Sequence, residues 1–465
     1  MTDTYDLIVI GAGSGGLTAA GFAAKLGART ALVERARVGG DCTWTGCVPS
    51  KALIRVARAA HEARTAAQFG IQTGPPTVDM AAVRAYVQGV VAQIAAQETP
   101  AVLRDAGLTV IEAEARFLDA TTIQAGAARL TGKNFILCTG ARPTVPPIQG
   151  LADVPYFTYE TLFDNDRLPD HLLVVGGGPL GLEMAQAYLR LGARVTVVSP
   201  QILPKAEPGA QAVLRAVLAG EGMAFVAARA TAVRRDGDTL VLTAGDGEVR
   251  GDMLLVATGR TPVVDGLDLA RAGVAYTAQG ITVDAHLRTT AKHIFAAGDC
   301  VGGPQYTHFA GWQAFQAARN ALLPGSSAGF SDAVPAVTFT DPEVAQVGVL
   351  EAAARQAHGD NVVVTRRPLD HVDRAICEHD QAGFLQLIHK PDGTLLGATI
   401  VAARAGETIT ELVVALQRGL KVGDLAGVMH AYPTYSTAVQ LLAADFAVDQ
   451  ALHGLAGKLV RKLQF

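Results

Sequence analysis

Two stretches of the chain carry the same order of apolar and polar positions. Residues 5–34 read YDLIVIGAGSGGLTAAGFAAKLGARTALVE, and residues 171–199 read HLLVVGGGPLGLEMAQAYLRLGARVTVVS. Each opens with an apolar run of strand length and breaks at a glycine-rich turn. Each continues as an Ala/Leu-rich helix that stops at Leu-Gly-Ala-Arg, then resumes as a second, β-branched strand. The order predicts two βαβ units of the kind that holds a dinucleotide. Gly11, Gly13 and Gly16 serve the first turn; Gly176, Gly178 and Gly181 serve the second. In each set one glycine allows the sharp strand-to-helix turn and one lets a pyrophosphate approach the backbone. The third lets helix and strand pack closely, with the helix N-terminus turned to the phosphates.

The two units end differently. The first closes on Glu34, a carboxylate suited to ribose hydroxyls, and the second on Ser199 followed by Pro200. An acid at the second position would bind the 2′-OH of NAD and repel a 2′-phosphate. With serine there, and Lys205 six residues on, the expectation is NADPH rather than NADH. Three further runs end in a small residue and glycine: FILCTGARP (135–143), LLVATGRTP (254–262) and HIFAAGDC (293–300). They place Thr139 with Gly140, Gly259 with Arg260, and Asp299 at strand ends, where ligands bind in open α/β sheets.

From about Val334 the pattern changes. VPAVTFTDPEVAQVGV, NVVVTRRPL and GFLQLIHKPDGTLLGATIVA read as strands, the last folded on itself at a Pro-Asp-Gly turn. GETITELVVALQRG and STAVQLLAADFAV read as amphipathic helices. The predicted class is α/β with two Rossmann-like nucleotide-binding domains, followed by an α+β domain with helices on one face of an antiparallel sheet.

Composition narrows the function. At 465 residues the chain is long enough for two to four domains, and 49% hydrophobic against 18% charged residues builds a large core and excludes disorder. Fifty glycines against two tryptophans favour tight turns around nucleotides over aromatic stacking platforms. A net charge of −4 offers nothing to nucleic acid. Five cysteines, an odd number, make no disulfide framework and point to a cytoplasmic protein. The N-terminal stretch carries Asp3 and Asp6 and no basic region, unlike a signal peptide, and charges interrupt each apolar run before it reaches membrane-spanning length. Within GGDCTWTGCVPSK (39–51), Cys42 and Cys47 leave three readings open: a zinc site, a structural disulfide, or a working redox pair.

Together these motifs resemble the class I pyridine nucleotide–disulfide oxidoreductases, the family of dihydrolipoamide dehydrogenase, glutathione reductase and mercuric reductase. The resemblance covers nearly the whole chain. It rests on GAGSGG, GGDCTWTGCVPSK, GGGPLG, ATGRTP, AAGDC and HAYPTYS. The cysteine segment is close to the family's GG-x-C-x-N-x-G-C-x-P-S-K, with Trp44 where Asn is usual. The implied organisation is an FAD-binding domain with the redox disulfide over 1–150 and an NAD(P)H-binding domain over 151–265. A return segment of the FAD domain follows over 266–335, and a dimerisation domain over 336–465, in a homodimer.

The resemblance also implies site residues. FAD is expected at Gly11, Gly13, Ser14, Gly15, Gly16, Glu34, Arg35, Gly40, Cys42, Lys51, Ala115, Thr139, Gly140, Asp299, Thr307, His308 and Ala310. The nicotinamide nucleotide is expected at Gly176, Gly178, Leu180, Gly181, Ser199, Lys205, Gly259 and Arg260. No second cysteine pair exists to complete a structural zinc site, and a reducing compartment disfavours a structural disulfide. By the resemblance Cys47 is the flavin-proximal thiol, close to a helix start, and Cys42 the thiol that meets substrate. Lys51 lies by the flavin and pairs with Glu183. Electrons run from NAD(P)H through FAD to the disulfide and on to an acceptor. No resident metal is expected.

The chain departs from the pattern at HAYPTYST (430–437). Dihydrolipoamide dehydrogenase and glutathione reductase have a His-Pro there and a Glu four residues after the Pro, the acid–base dyad for thiol exchange. Tyr432 and Thr437 stand in those places, with His430 two residues away. A tyrosine titrates too high to move protons between sulfurs near neutral pH. Mercuric reductase has a tyrosine at this place too, and a soft metal ion binds thiolates with no thiol leaving group to protonate. The expected acceptor is therefore a soft metal ion such as Hg(II). The first alternative is a disulfide reductase that lacks the dyad and uses His430 or water in its place. The second is a flavoprotein with structural FAD that acts as a sensor or binding protein. No GMTCxxC domain is expected ahead of the first glycine motif, and KLVRKLQF at the C-terminus has no vicinal cysteines. Cys377 is expected to be buried, and Cys138 and Cys300 to lie in the core.

Overall fold

The computed structural model describes residues 4–453. The chain divides into two units. The first comprises Met1–Gly176, Arg190–Arg194 and Arg229–Ser331; the second comprises Gly177–Leu189, Val195–Ala228 and Asp332–Phe465. KLVRKLQF and Asp3 lie outside the described residues.

In the first unit β1 (Thr4–Ile10) runs parallel to β2 (Thr30–Glu34), with Val9 opposite Leu32. On its other side it runs parallel to Ala128–Leu137, with Val9 opposite Ile136. That long strand pairs antiparallel with Thr122–Ala125 near its start and parallel with Ile294–Ala296 near its end. Residues 294–331 are thereby part of the same unit as β1.

Side chains alternate across this sheet with period two. Leu7, Val9, Leu32, Ile136 and Phe295 pack with Ala19, Ala20 and Ala23 of α1 (Ser14–Lys25) and with Ala314, Ala317 and Ala318 of the helix Thr307–Leu322. Ile8, Ile10, Val33, Phe135 and Leu137 face the other way, onto Phe117 and Ile123. Both faces are covered, which is why these strands are continuous apolar runs in the sequence. Alanine on the facing helices lets them approach closely and brings their N-termini to the strand ends.

The first unit also holds the parallel pair His171–Val175 and Met253–Val256, and a three-stranded antiparallel sheet over 230–251. The second unit holds residues 179–189 of the helix Pro179–Leu191, and a parallel pair in which Val197 stands opposite Phe225.

Its larger part is a five-stranded antiparallel sheet in the order 336–338, 343–348, 395–402, 384–389, 363–368. The Pro-Asp-Gly turn joins two of these strands, with Gly393 at φ 84°. Leu385, Leu387 and Ile400 pack under the helices Ala405–Arg418 and Thr437–His453. The α+β layout is the expected one with one difference. Ile388 points to the opposite face and packs on Ala354 of the helix Glu351–His358, so helices cover both faces of this sheet.

Cys138 and Cys300 are buried, as expected. Cys377 is exposed, contrary to expectation. It ends the five-residue helix Asp373–Cys377, whose inward position is Ala375. Two residues further round, at about 100° per residue, the thiol faces away from the core. No helix among the described residues is long and apolar enough to cross a membrane.

Candidate functional site

The first glycine turn is tight at its base and open at its tip. Gly11 has φ 99°, and a Cβ there would lie 2.3 Å from the carbonyl oxygen of Cys138. A Cβ on Gly16 would lie 1.8 Å from the carbonyl oxygen of Gly11. At Gly13 the nearest atom is the Cα of Gly40 at 3.8 Å, and no side-chain hydrogen bond caps the start of α1. Glu34 braces the turn, its Oε2 accepting from Ala12 N at 2.7 Å and its Oε1 from Ala36 N at 2.8 Å. The second turn repeats the design. A Cβ on Gly176 would lie 2.3 Å from the carbonyl oxygen of Ala257, whereas one on Gly178 would meet nothing within 4 Å. Two turns of this shape at helix N-termini fit the pyrophosphates of FAD and NAD(P)H.

The other expected contacts fall around these turns. Ser14 and Gly15 open α1, and a Cβ on Gly15 would come 3.4 Å from the carbonyl oxygen of Ala310. Thr139 Oγ1 donates to Val263 O at 2.7 Å, and Gly140 O accepts from Val263 N. Arg35 is exposed, Ala115 is buried in the strand Ala115–Phe117, and His308 stacks on Tyr306. In the second unit Leu180 and Gly181 lie in the first turn of their helix, Ser199 Oγ donates to Gln201 O at 2.7 Å, and Lys205 is exposed.

The redox segment begins at the left-handed Gly39, forms the one-turn helix α2 (Gly40–Trp44), and restarts at Cys47, the first residue of α3 (Cys47–Thr65). Cys42 is half-buried and Cys47 exposed. A hydrogen bond with Cys47, followed by burial, pushes the Cys42 thiol far above its ordinary range. Cys47 Sγ lies 3.2 Å from Thr307 Oγ1, so the first residues of two helices meet at this sulfur. Their dipoles favour negative charge there. Lys51 follows one turn along α3. Trp44 anchors the end of α2, with Nε1 donating to Val38 O at 2.7 Å and Arg37 over its ring at 4.3 Å.

Arg260 turns its guanidinium onto two carboxylates. Its Nη2 reaches Asp41 Oδ2 at 2.8 Å and Asp299 Oδ2 at 3.0 Å. The Tyr159 hydroxyl donates to the same Asp41 oxygen at 3.2 Å, and its ring lies 4.8 Å from the guanidinium. Burial pushes the Asp299 carboxyl and the Tyr159 hydroxyl upward. Asp41 and Tyr159 escaped the sequence reading. A charge directly before a redox cysteine was a signal for the first; Tyr159 gave none.

In the second unit Glu183 is buried and its Oε1 accepts from Phe339 N at 2.9 Å. The Tyr432 hydroxyl donates to Asp373 Oδ2 at 2.5 Å, a bond that pushes its titration upward. His430 has both ring nitrogens engaged, Nδ1 with Val428 O at 2.9 Å and Nε2 with Glu411 Oε1 at 2.8 Å. Among the described residues, no cluster of three or more His, Cys, Asp or Glu side chains is arranged to hold a metal ion.

The pyridine nucleotide-disulphide oxidoreductase pattern matches residues 5–314, and the dimerisation domain of that family matches residues 334–443. A mercuric reductase from Streptomyces lividans is 37% identical, over 96% of this chain and 97% of its own. A dihydrolipoyl dehydrogenase from Haloferax volcanii is 36% identical, over 97% and 98%. Among solved structures, LpdA from Mycobacterium tuberculosis superposes with a TM-score of 0.88 at 32% identity, over 94% of this chain and 99% of that one. The Cu(II) complex of the HOCl-induced flavoprotein disulfide reductase RclA from Escherichia coli does so with a TM-score of 0.85 at 26% identity, over 94% and 99%.

Proposed function

The chain belongs to the pyridine nucleotide–disulphide oxidoreductase family as an NAD(P)H-dependent flavoprotein, and from that premise we propose that it reduces a soft metal ion of the Hg(II) class through Cys42 and Cys47. The observation that carries the reading is the state of the thiol pair. The hydrogen bond with Cys47 and burial push the titration of the Cys42 thiol upward. A disulfide substrate requires a base to take the thiol proton. Tyr432 is raised further from neutrality by Asp373, and His430 is committed to Glu411 and Val428. A soft cation displaces thiol protons itself, because thiolate is its preferred ligand. The mercuric reductase relative and the RclA copper complex support the same class of acceptor.

FAD would be held by the turn at Gly11–Gly16 with Glu34, Thr139, Gly140, Asp299 and the start of the helix Thr307–Leu322, and would supply two-electron redox chemistry between the nicotinamide and the disulfide. Cys47, at two helix starts, carries the first thiolate. Cys42 and Cys47 together ligate the metal, and the one proton held on Cys42 goes to solvent. The net balance is NAD(P)H and Hg(II) giving NAD(P)+, one proton and Hg(0). We assign NADPH as the favoured donor, because Ser199 stands where an acid would repel a 2′-phosphate and Lys205 follows it. The protein acts as a homodimer through its dimerisation domain, on which Met429, Tyr432 and Val448 are each exposed. A reducing compartment, the cytoplasm, suits a pair that works as thiols.

The test is anaerobic titration with NADPH, followed by NADPH oxidation with Hg(II), Cu(II), lipoamide, glutathione disulfide and quinones in the wild type and in Cys42→Ser and Cys47→Ser. Expected are a long-wavelength charge-transfer band at two-electron reduction and metal-dependent turnover that either substitution abolishes. Turnover with lipoamide at rates above those with metal would overturn the acceptor. Activity surviving loss of both cysteines would overturn the route.

A further inference from the structure

Asp41 Oδ2 is the point where Arg260 and Tyr159 converge, and Asp41 stands immediately before Cys42. Helix α2 is five residues long, with Gly39 as its N-cap and no side-chain cap hydrogen bond. A single turn does not hold its own shape in water. The position of Cys42 therefore depends on anchors at either side of it. Trp44 supplies one, through Val38 and Arg37. The other is the bridge from Asp41 through Arg260 Nη2 to Asp299 Oδ2. Its cation is only a quarter exposed, so the pair is screened less than a surface ion pair.

We propose that Arg260 is a positioning residue for the redox cysteines: by clamping Asp41 to Asp299 it holds Cys42 within reach of Cys47 and ties the redox helix to the expected FAD-binding aspartate. The inference rests on the reading of Cys42 and Cys47 as a flavin-coupled pair. It gives Arg260 a task different from the nucleotide contact expected from the ATGRTP strand. Both ion pairs run through Nη2, while Nε is buried with no hydrogen-bond partner among the described residues. The clamp thus uses a point charge rather than the planar fork, and lysine is a fair substitute here.

The experiment reads the thiols without relying on turnover. The flavin-loaded protein is equilibrated in glutathione redox buffers, and the Cys42–Cys47 disulfide is quantified by alkylation and mass spectrometry. In Arg260→Gln and in Asp41→Asn the equilibrium constant for disulfide formation should fall about tenfold, the worth of one charge-assisted hydrogen bond. The double variant should be no worse than either single one, and Arg260→Lys should recover most of the loss. Charge-transfer absorbance should fall in step in both variants, with KM for NADPH in Asp41→Asn changed less than about twofold. A wild-type disulfide equilibrium in both single variants, or strictly additive losses in the double one, would overturn the clamp. So would a raised KM for NADPH as the sole effect of Arg260→Gln. If Arg260→Gln does not fold, the isosteric Asp41→Asn makes the same test. Failure of the functional reading shows differently: NADPH does not reduce the wild-type pair, while the thiol equilibrium still reports on the clamp.

Discussion

Thr307 Oγ1 lies 3.2 Å from Cys47 Sγ, although 260 positions separate the two residues. The hydroxyl also favours the ionised form of Cys42. Thr307→Val keeps the shape and removes the donor. One hydrogen bond to a charged group is worth roughly 1.5–3 kcal/mol, so the pH at which the charge-transfer band is half developed should rise by about one to two units. Absorbance of the two-electron-reduced protein against pH checks this. An unmoved midpoint would mean that the hydroxyl does not serve the thiolate.

Cys47 is the largest cause of the upward shift at Cys42. In Cys47→Ala that cause is gone, so Cys42 should ionise at lower pH than in the reduced wild type. Iodoacetamide should alkylate Cys42 at pH 8 at least several-fold faster in the variant. Slower alkylation would show that burial, not the neighbouring thiol, controls Cys42.

Cys138 is raised by burial, with a smaller contribution from Cys300. Its folded titration lies above that of the unfolded chain, so its contribution to stability is complete below about pH 9 and is lost as pH rises further. Each such thiol steepens the alkaline fall in unfolding free energy by about 1.4 kcal/mol per pH unit. In Cys138→Ala, urea unfolding between pH 9 and 10.5 should show a slope shallower by that amount. A slope unchanged from wild type would refute the assignment.

Tyr432 and His430 separate by their pH behaviour. Tyr432→Phe should lower metal turnover while leaving the shape of the rate profile between pH 6 and 9 unchanged, since Asp373 holds the hydroxyl above that window. His430→Gln breaks a pair that is structural in this geometry, so it should reduce thermal stability and keep metal turnover. Loss of the acidic limb of the profile in His430→Gln would instead identify His430 as the acid–base group.

Gly16→Ala places a methyl group where the carbonyl oxygen of Gly11 would be 1.8 Å away. The first turn has to open, and the purified variant should retain little flavin, measured by absorbance at 450 nm, a wavelength set by the cofactor. Gly27→Ala offers the contrast: a Cβ there meets nothing within 4 Å, and although its φ of 78° costs some stability, flavin retention should be unaffected.

Features written in local order were legible before any fold was known. The glycine spacing at Gly11–Gly16 and Gly176–Gly181, the Pro-Asp-Gly hairpin and the continuous apolar strands each follow from backbone geometry over a few residues. So does the start of α3 at Cys47. Relationships between side chains from different elements were not legible. Thr307 meets Cys47, Arg260 bridges Asp41 to Asp299, and Glu411 occupies His430, at separations of 260, 219, 39 and 19 positions. Periodicity says which face of an element is apolar. It does not say which polar side chain on another element will be brought opposite. That is decided when helices and strands pack to bury their apolar faces, because the few polar groups left at the strand ends then find partners only among those that packing has placed within hydrogen-bond reach.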